Sequence, residues 1–267
     1  VRLPAGFGEG GWVAQELESV CQGSVSDVRT GAYGDAHVDD EFAWAAAELY
    51  IATRENGFYD AMIARNVPAT VPSWGNVGAL AWMSLAGHRD QLTPHADRAR
   101  IAREITGLAQ QIADTWKASS WRLAMTDNTF LWGSNGGVLD RAVMLMQGYR
   151  LTQQRQFLDA AQSQLDYILG RNPLGLSFVT GIGKRTPMHI HHRPSQADGI
   201  QAPVPGWLVG GPQPGQQDVK ECKVPYPSKL PALSYLDNFC SYSTNEVAIN
   251  WNAPLVYVSA AIEASTH

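Results

Sequence analysis

The chain has 267 residues, 45% of them hydrophobic and only 17% charged, with a net charge of −5. That length and composition suit a folded protein with a sizeable core, and the acidic balance argues against a nucleic acid or an anionic membrane as partner. No apolar run reaches the roughly 18 residues of a membrane-spanning helix; the longest candidate, 247–262, is interrupted by Asn250, Asn252 and Pro254.

In chain order, the opening is Gly-rich and irregular, without the charged-then-apolar pattern of an export signal. Either a signal has been removed or Val1 is not the natural start. An Ala-rich stretch from Asp39 to Tyr50 follows, with Asp39, Asp40 and Glu41 at its head, where a helix dipole favours negative charge. Helical stretches are then predicted at about 56–66, 76–87, 95–117, 134–151 and 154–170. Their apolar residues recur three and four apart: Ala102, Ile105, Leu108, Ile112 and Trp116 in one, Leu158, Ala161, Leu165 and Ile168 in another. Short Gly, Pro, Asn and Asp breaks between them imply antiparallel helical hairpins, in an all-α chain.

From about 171 to 243 the periodicity stops, in a long tract rich in Gly, Pro, Ser and His. Loops of that length inside a folded protein usually carry function. A last helix is predicted from Asn245 to Ala264, with Thr244 as its N-cap and Glu246 in its first turn. Of the three cysteines, Cys222 and Cys240 flank the Pro-rich part of the long loop. A disulfide between them and two free buried thiols are both open, and Cys21 is left over.

Two segments could hold chemistry. His189, His191, His192 and Arg193 lie within five residues. A metal site, a locally hydrogen-bonded loop and a polar ligand contact are the readings, and no acidic or Cys partner stands near in sequence to favour the metal. The stretch from Tyr235 to Glu246 brings Asp237, Tyr242 and Glu246 to a loop–helix junction. Glu246 is either a dipole-stabilised helix-start carboxylate or a general acid, which must keep its proton near neutral pH.

The segment Ser177 to Arg193, ending in His191-x-Arg193, resembles the first signature of family 9 glycoside hydrolases. The segment from Tyr235 to Ala253 resembles the second, with Asp237, Tyr242, Glu246, Ala248, Asn252 and Ala253 at matching spacing. Tyr167 to Pro173, Asp40–Glu41 and Trp44–Ala45–Ala46 add lesser matches, so the resemblance runs over nearly the whole chain.

The resemblance implies an (α/α)6 barrel of helical hairpins that cleaves β-1,4-glucans with inversion. It implies Glu246 as general acid, Asp237 as a support for it or a sugar ligand, and His191 and Arg193 in contact with sugar. Tyr242 and Trp251 are expected near the substrate. Trp132 is either a sugar platform or a core residue. It also implies a structural calcium near Asp40 and Glu41, with Asp39 a further donor, although Trp74 is followed by Gly75 where relatives place an aspartate.

Inversion needs two carboxyl groups roughly 6.5–9.5 Å apart. The Asp-x-x-Asp stretch that supplies the base in the family is not found. Gly10–Gly11–Trp12 is followed by Val13 and Ala14, and about seven helices are too few for a twelve-helix barrel. The chain therefore reads, over 1–267, as the C-terminal portion of a catalytic domain. Its expected partners are a β-glucan and the N-terminal half of that domain. An exo-acting hydrolase, with the loop from Ala202 to Gln217 closing one end of the cleft, and a non-catalytic carbohydrate-binding fragment are the alternatives. Secretion is expected from the substrate class.

Overall fold

A computed structural model of the chain describes residue 35 and residues 37–266. Cys21 and the Gly10–Trp12 stretch lie outside these. Among the described residues the regular structure is helical: α1 Asp39–Thr53, α2 Asn56–Ala64, α3 Gly78–Gly87, α4 Arg98–Ala118, α5 Ser134–Thr152 and α6 Arg155–Ile168. Three short turns, α7 Arg193–Ala197, α8 Val219–Cys222 and α9 Tyr242–Asn245, precede the last helix, α10 Ile249–Thr266.

The helices form where the periodicity places them. α4 starts at Asp97, whose carboxylate accepts the Arg100 N–H at 2.8 Å, an N-cap that satisfies one of the orphan donors of the first turn. Its buried side chains, Ile101, Ile105, Leu108 and Ile112, form one stripe, and α6 repeats the pattern with Phe157, Leu158, Ala161, Leu165 and Ile168. α5 is buried almost all round, from Val138 to Gly148, which marks it as an inner helix. The arc runs α1 on α3, α3 on α4, α4 on α5, α5 on α6, and α10 on both α5 and α6.

The last predicted helix is the correction. It is two helices, α9 and α10, with Glu246 between them in extended conformation at φ −68° and ψ 153°. Backbone pairing, absent from local sequence logic, overrides the helix there. Gly210 N–H donates to the Glu246 carbonyl at 2.9 Å and His191 N–H to the Asn245 carbonyl at 2.8 Å.

The long loop is ordered by the same means. Val179 pairs with Leu208, Val209 with Val247 and His191 with Glu246 as isolated bridges. The Asn252 side-chain amide completes the set, accepting from Leu208 N–H at 2.9 Å and donating to the Ala248 carbonyl at 2.8 Å. Residues Leu208 to Gln213 are buried. Within this stretch Gly210 N–H and Gly211 N–H donate to the carbonyls of Glu246 and Thr244.

Candidate active site

Glu246 is gripped on both sides by backbone, so its position does not depend on its own side chain. Its carboxyl is partly buried, and burial pushes its pKa up; the charge of His191 and a hydrogen bond from the Trp132 indole pull the other way. The result is a carboxyl that holds its proton above the ordinary glutamate range.

Around it runs a row of rings. Trp132 lies 5.4 Å from Tyr242, Tyr242 meets His191 edge-on at 6.1 Å, and His191 stacks on Phe239 at 5.2 Å. His191 Nδ1 lies 2.6 Å from the Phe239 carbonyl. Since a carbonyl only accepts, Nδ1 carries the proton and the ring's orientation is set. The structure thus brings Glu246, His191, Trp132 and Tyr242 together. Trp132 is 44% exposed, which favours the platform reading over the core reading.

Asp237 stands behind this group. Its carboxylate accepts from Met188 N–H and His189 N–H, both at 2.9 Å, and from the Asn245 side chain at 3.0 Å. These bonds tie the His189–His191 segment to the turn before Glu246. Arg193 opens α7 and is exposed.

Trp251 is wedged onto glycines. A β-carbon at Gly133, Gly136 or Gly210 would meet its ring at 2.5, 2.5 and 3.2 Å respectively. The indole nevertheless lines a cavity of about 560 Å³ together with Trp74, Leu131, Trp132 and Asp140.

Among the described residues no three His, Cys or acidic side chains converge as a metal site. This covers the histidine cluster, where His192 Nδ1 faces Ser195 at 3.0 Å. It also covers Asp40 and Glu41. Asp40 accepts the Val77 N–H at 2.6 Å, and Asp39 is turned to Arg65. The Glu41 and Asp40 carboxyls share a hydrogen bond, with the Asp35 charge acting on Glu41, and no step below involves a metal.

Several residues of the site escape sequence reasoning. Asn245 is fully buried; it accepts from Tyr235 O–H at 2.5 Å and donates to the His189 carbonyl at 2.6 Å. Asp218, also fully buried, accepts from Tyr226 O–H at 2.6 Å and from both the N–H and O–H of Ser243, at 2.8 and 2.7 Å. The Tyr226 oxygen further bonds Ser241 and Ser243. Cys222 and Cys240 are joined as a disulfide, which clips the same segment covalently. The Tyr–Pro and Gly–Gly punctuation of residues 210–227 was the available signal, but it names no partner.

Tyr226→Phe removes the shared hydroxyl and leaves Asp218 one donor short in a dry setting. We expect a loss of about 1–3 kcal/mol, read as a lower urea midpoint at constant m-value. An unchanged midpoint would show that the network carries no stability.

Stacked helical hairpins with a loop-built site at one end define the helical-barrel class, of which this chain holds one portion. Comparison with known sequences and structures names the group. The sequence model of Glycosyl hydrolase family 9 matches residues 12–259. A xyloglucan-specific endo-beta-1,4-glucanase of Bacteroides ovatus is 38% identical over 247 residues, 89% of this chain and 41% of the relative. A cellulose 1,4-beta-cellobiosidase of Acetivibrio thermocellus is 29% identical over 261 residues, 87% of this chain and 29% of the relative.

A solved Bacteroides ovatus GH9 structure superposes with a TM-score of 0.82 at 33% identity, covering 96% of this chain and 46% of that one. An endoglucanase structure from Alicyclobacillus acidocaldarius gives 0.79 at 32% identity, covering 88% and 45%. The chain belongs to glycosyl hydrolase family 9, and it spans less than half the length of these relatives.

Proposed function

We propose that this chain supplies the acid side of an inverting β-1,4-glucan hydrolase, with Glu246 as general acid. The observation that carries the reading is the partly buried Glu246 carboxyl, clamped by backbone between His191 and Gly210 beside the ring row.

The bond chemistry follows. Glu246 gives its proton to the glycosidic oxygen as the bond from that oxygen to the anomeric carbon breaks. Water adds to that carbon from the opposite face and yields its proton to a second carboxylate. The base comes from outside this chain, on the missing half of the domain. The Trp132 and Tyr242 rings offer apolar faces to a glucose ring, and His191, oriented by Phe239, offers Nε2 to a sugar hydroxyl. Asp237 and Asn245 hold the loop that presents them.

The substrate is a β-1,4-glucan backbone, in line with the β-1,4-glucanase and cellobiosidase names of the relatives. The protein acts outside the cell, because such polymers do not enter it and the Cys222–Cys240 disulfide suits an oxidising compartment.

The isolated chain is expected to release no reducing sugar from a soluble β-glucan, while the complete catalytic domain does so with the product born as the α-anomer by NMR. Turnover by the isolated chain would sink the assignment of the base to the missing half. Sugar binding without turnover by the complete domain would instead establish a non-catalytic binding module.

A further inference from the structure

Phe239 and Tyr242 belong to the ring row, and the residues between and beside them are tied elsewhere. Cys240, Ser241 and Ser243 all bond into the segment from Asp218 to Tyr226. The two sets meet at one peptide group, the one joining Phe239 to Cys240. Its carbonyl accepts the His191 Nδ1–H at 2.6 Å, and its N–H donates to the Asn238 side chain at 3.0 Å. The next atom along the chain, the Cys240 α-carbon, carries the disulfide to Cys222.

This peptide lies in a turn before α9, outside any helix or bridge, so no ladder of backbone hydrogen bonds fixes its plane. Rotation of that plane would swing the carbonyl away from Nδ1 and release the imidazole from its tautomer and orientation. The far end of the disulfide is firmly anchored. Cys222 N–H donates to the Asp218 carbonyl at 2.8 Å, and the fully buried Asp218 carboxylate is held by Tyr226 and Ser243. Both cysteines are half-buried, which leaves the bond within reach of a small thiol.

We infer that Cys222 and Cys240 are positioning residues: their disulfide holds the Phe239 carbonyl and ring against His191, and the rate of hydrolysis depends on that bond being closed. Opening it is a two-electron step. A dithiol supplies two electrons and two protons, the S–S bond breaks, two cysteine thiols form, and the reagent closes to its own disulfide. Asp218 and Tyr226 continue to hold Ser241 and Ser243, so the effect falls on Phe239 and His191. The inference rests on His191 belonging to the hydrolytic site, and not on Glu246 being the acid.

The test measures kcat of the complete catalytic domain on a soluble β-glucan. Reduction with dithiothreitol is expected to lower kcat by roughly 10- to 100-fold, the scale of an ångström's misplacement, with the helical circular dichroism retained and the rate restored on reoxidation. The double variant Cys222→Ser, Cys240→Ser should start at the reduced rate and ignore the reagent. His191→Ala supplies the readout that a merely structural bond would not move. Losses that act through one group do not add, so reduction of that variant should change kcat by less than about 2-fold.

An undiminished rate on reduction overturns the inference. So does a loss in His191→Ala as large as in the parent, which assigns the bond to stability alone. If the reduced domain unfolds, Phe239→Ala decides in its place. It keeps the disulfide and removes the ring stacked on His191, and its loss must likewise vanish in the His191→Ala background. A full rate for His191→Ala by itself would take His191 out of the site, and the inference would fall with that reading, whereas an unaffected Glu246→Gln rate would remove only the acid assignment.

Discussion

Glu246→Gln, made in the complete catalytic domain, should lower kcat by roughly 10²–10⁴-fold, the range that general acid catalysis contributes, and leave KM nearly unchanged. The amide keeps the size of the carboxyl and an oxygen for the Trp132 indole. The backbone at 246 is held by Gly210 and the neighbouring Asn245 carbonyl by His191, so the loop does not move. What is lost is the proton. An unchanged kcat would move the acid elsewhere.

The pH profile carries the same assignment with a definite sign. Burial raises the Glu246 pKa, and the acid is active while protonated. The rate therefore falls as pH rises through that raised value, and the falling limb lies above the ordinary glutamate range. Because His191 opposes the shift, His191→Ala should move the limb to still higher pH while also lowering the rate. The linkage to stability has the same sign. The folded state holds this proton more tightly than the unfolded chain, so the contribution is present at low pH and is lost as pH rises through the folded value.

Gly133→Ala should be strongly destabilising. Gly133 has φ +78°, and an added β-carbon would lie 2.5 to 2.8 Å from three atoms of the Trp251 indole. Left-handed backbone costs an alanine about 1–2 kcal/mol, and an overpacked contact costs about 1–3 kcal/mol more. A loss of roughly 2–5 kcal/mol is a large share of the stability of an ordinary domain. The indole cannot retreat freely, since Gly136 and Gly210 are already in contact with its other edges.

Thermal and urea midpoints should fall together, with a change in tryptophan emission as Trp251 shifts. Gly57, in α2 with no atom within 4 Å of an added β-carbon, is the control; Gly57→Ala should be neutral or stabilising by up to about 1 kcal/mol. Equal midpoints for the two variants would refute the role given to the Trp251 seat.

The helices were legible because their signals are local. The stripe from Ile101 to Ile112 and the Asp97 cap need nothing beyond neighbouring residues, and α4 forms there. The acidic head of the stretch beginning at Asp39 and the breaks between hairpins are of the same kind. The family resemblance rested on spacing, which also survives without a structure, and it pointed to Glu246, His191, Tyr242 and Trp132, which the fold brings together.

Local logic failed at Glu246, read as a helix-start residue with Thr244 as cap. Nothing within a few residues says that Gly210 and His191 will pair with the backbone on either side of it, and those two hydrogen bonds decide its extended conformation. The same holds for Asp218, whose partners Tyr226 and Ser243 are brought in by loop closure, and for the disulfide, which the spacing left undecided between bridge and free thiols. The sequence by itself determined the helices, the arc they can form and the residue types at the site. Only the tertiary structure decided how Glu246 is held and which apolar faces remain uncovered, because both depend on contacts between segments distant in the chain, whose energies no local pattern encodes.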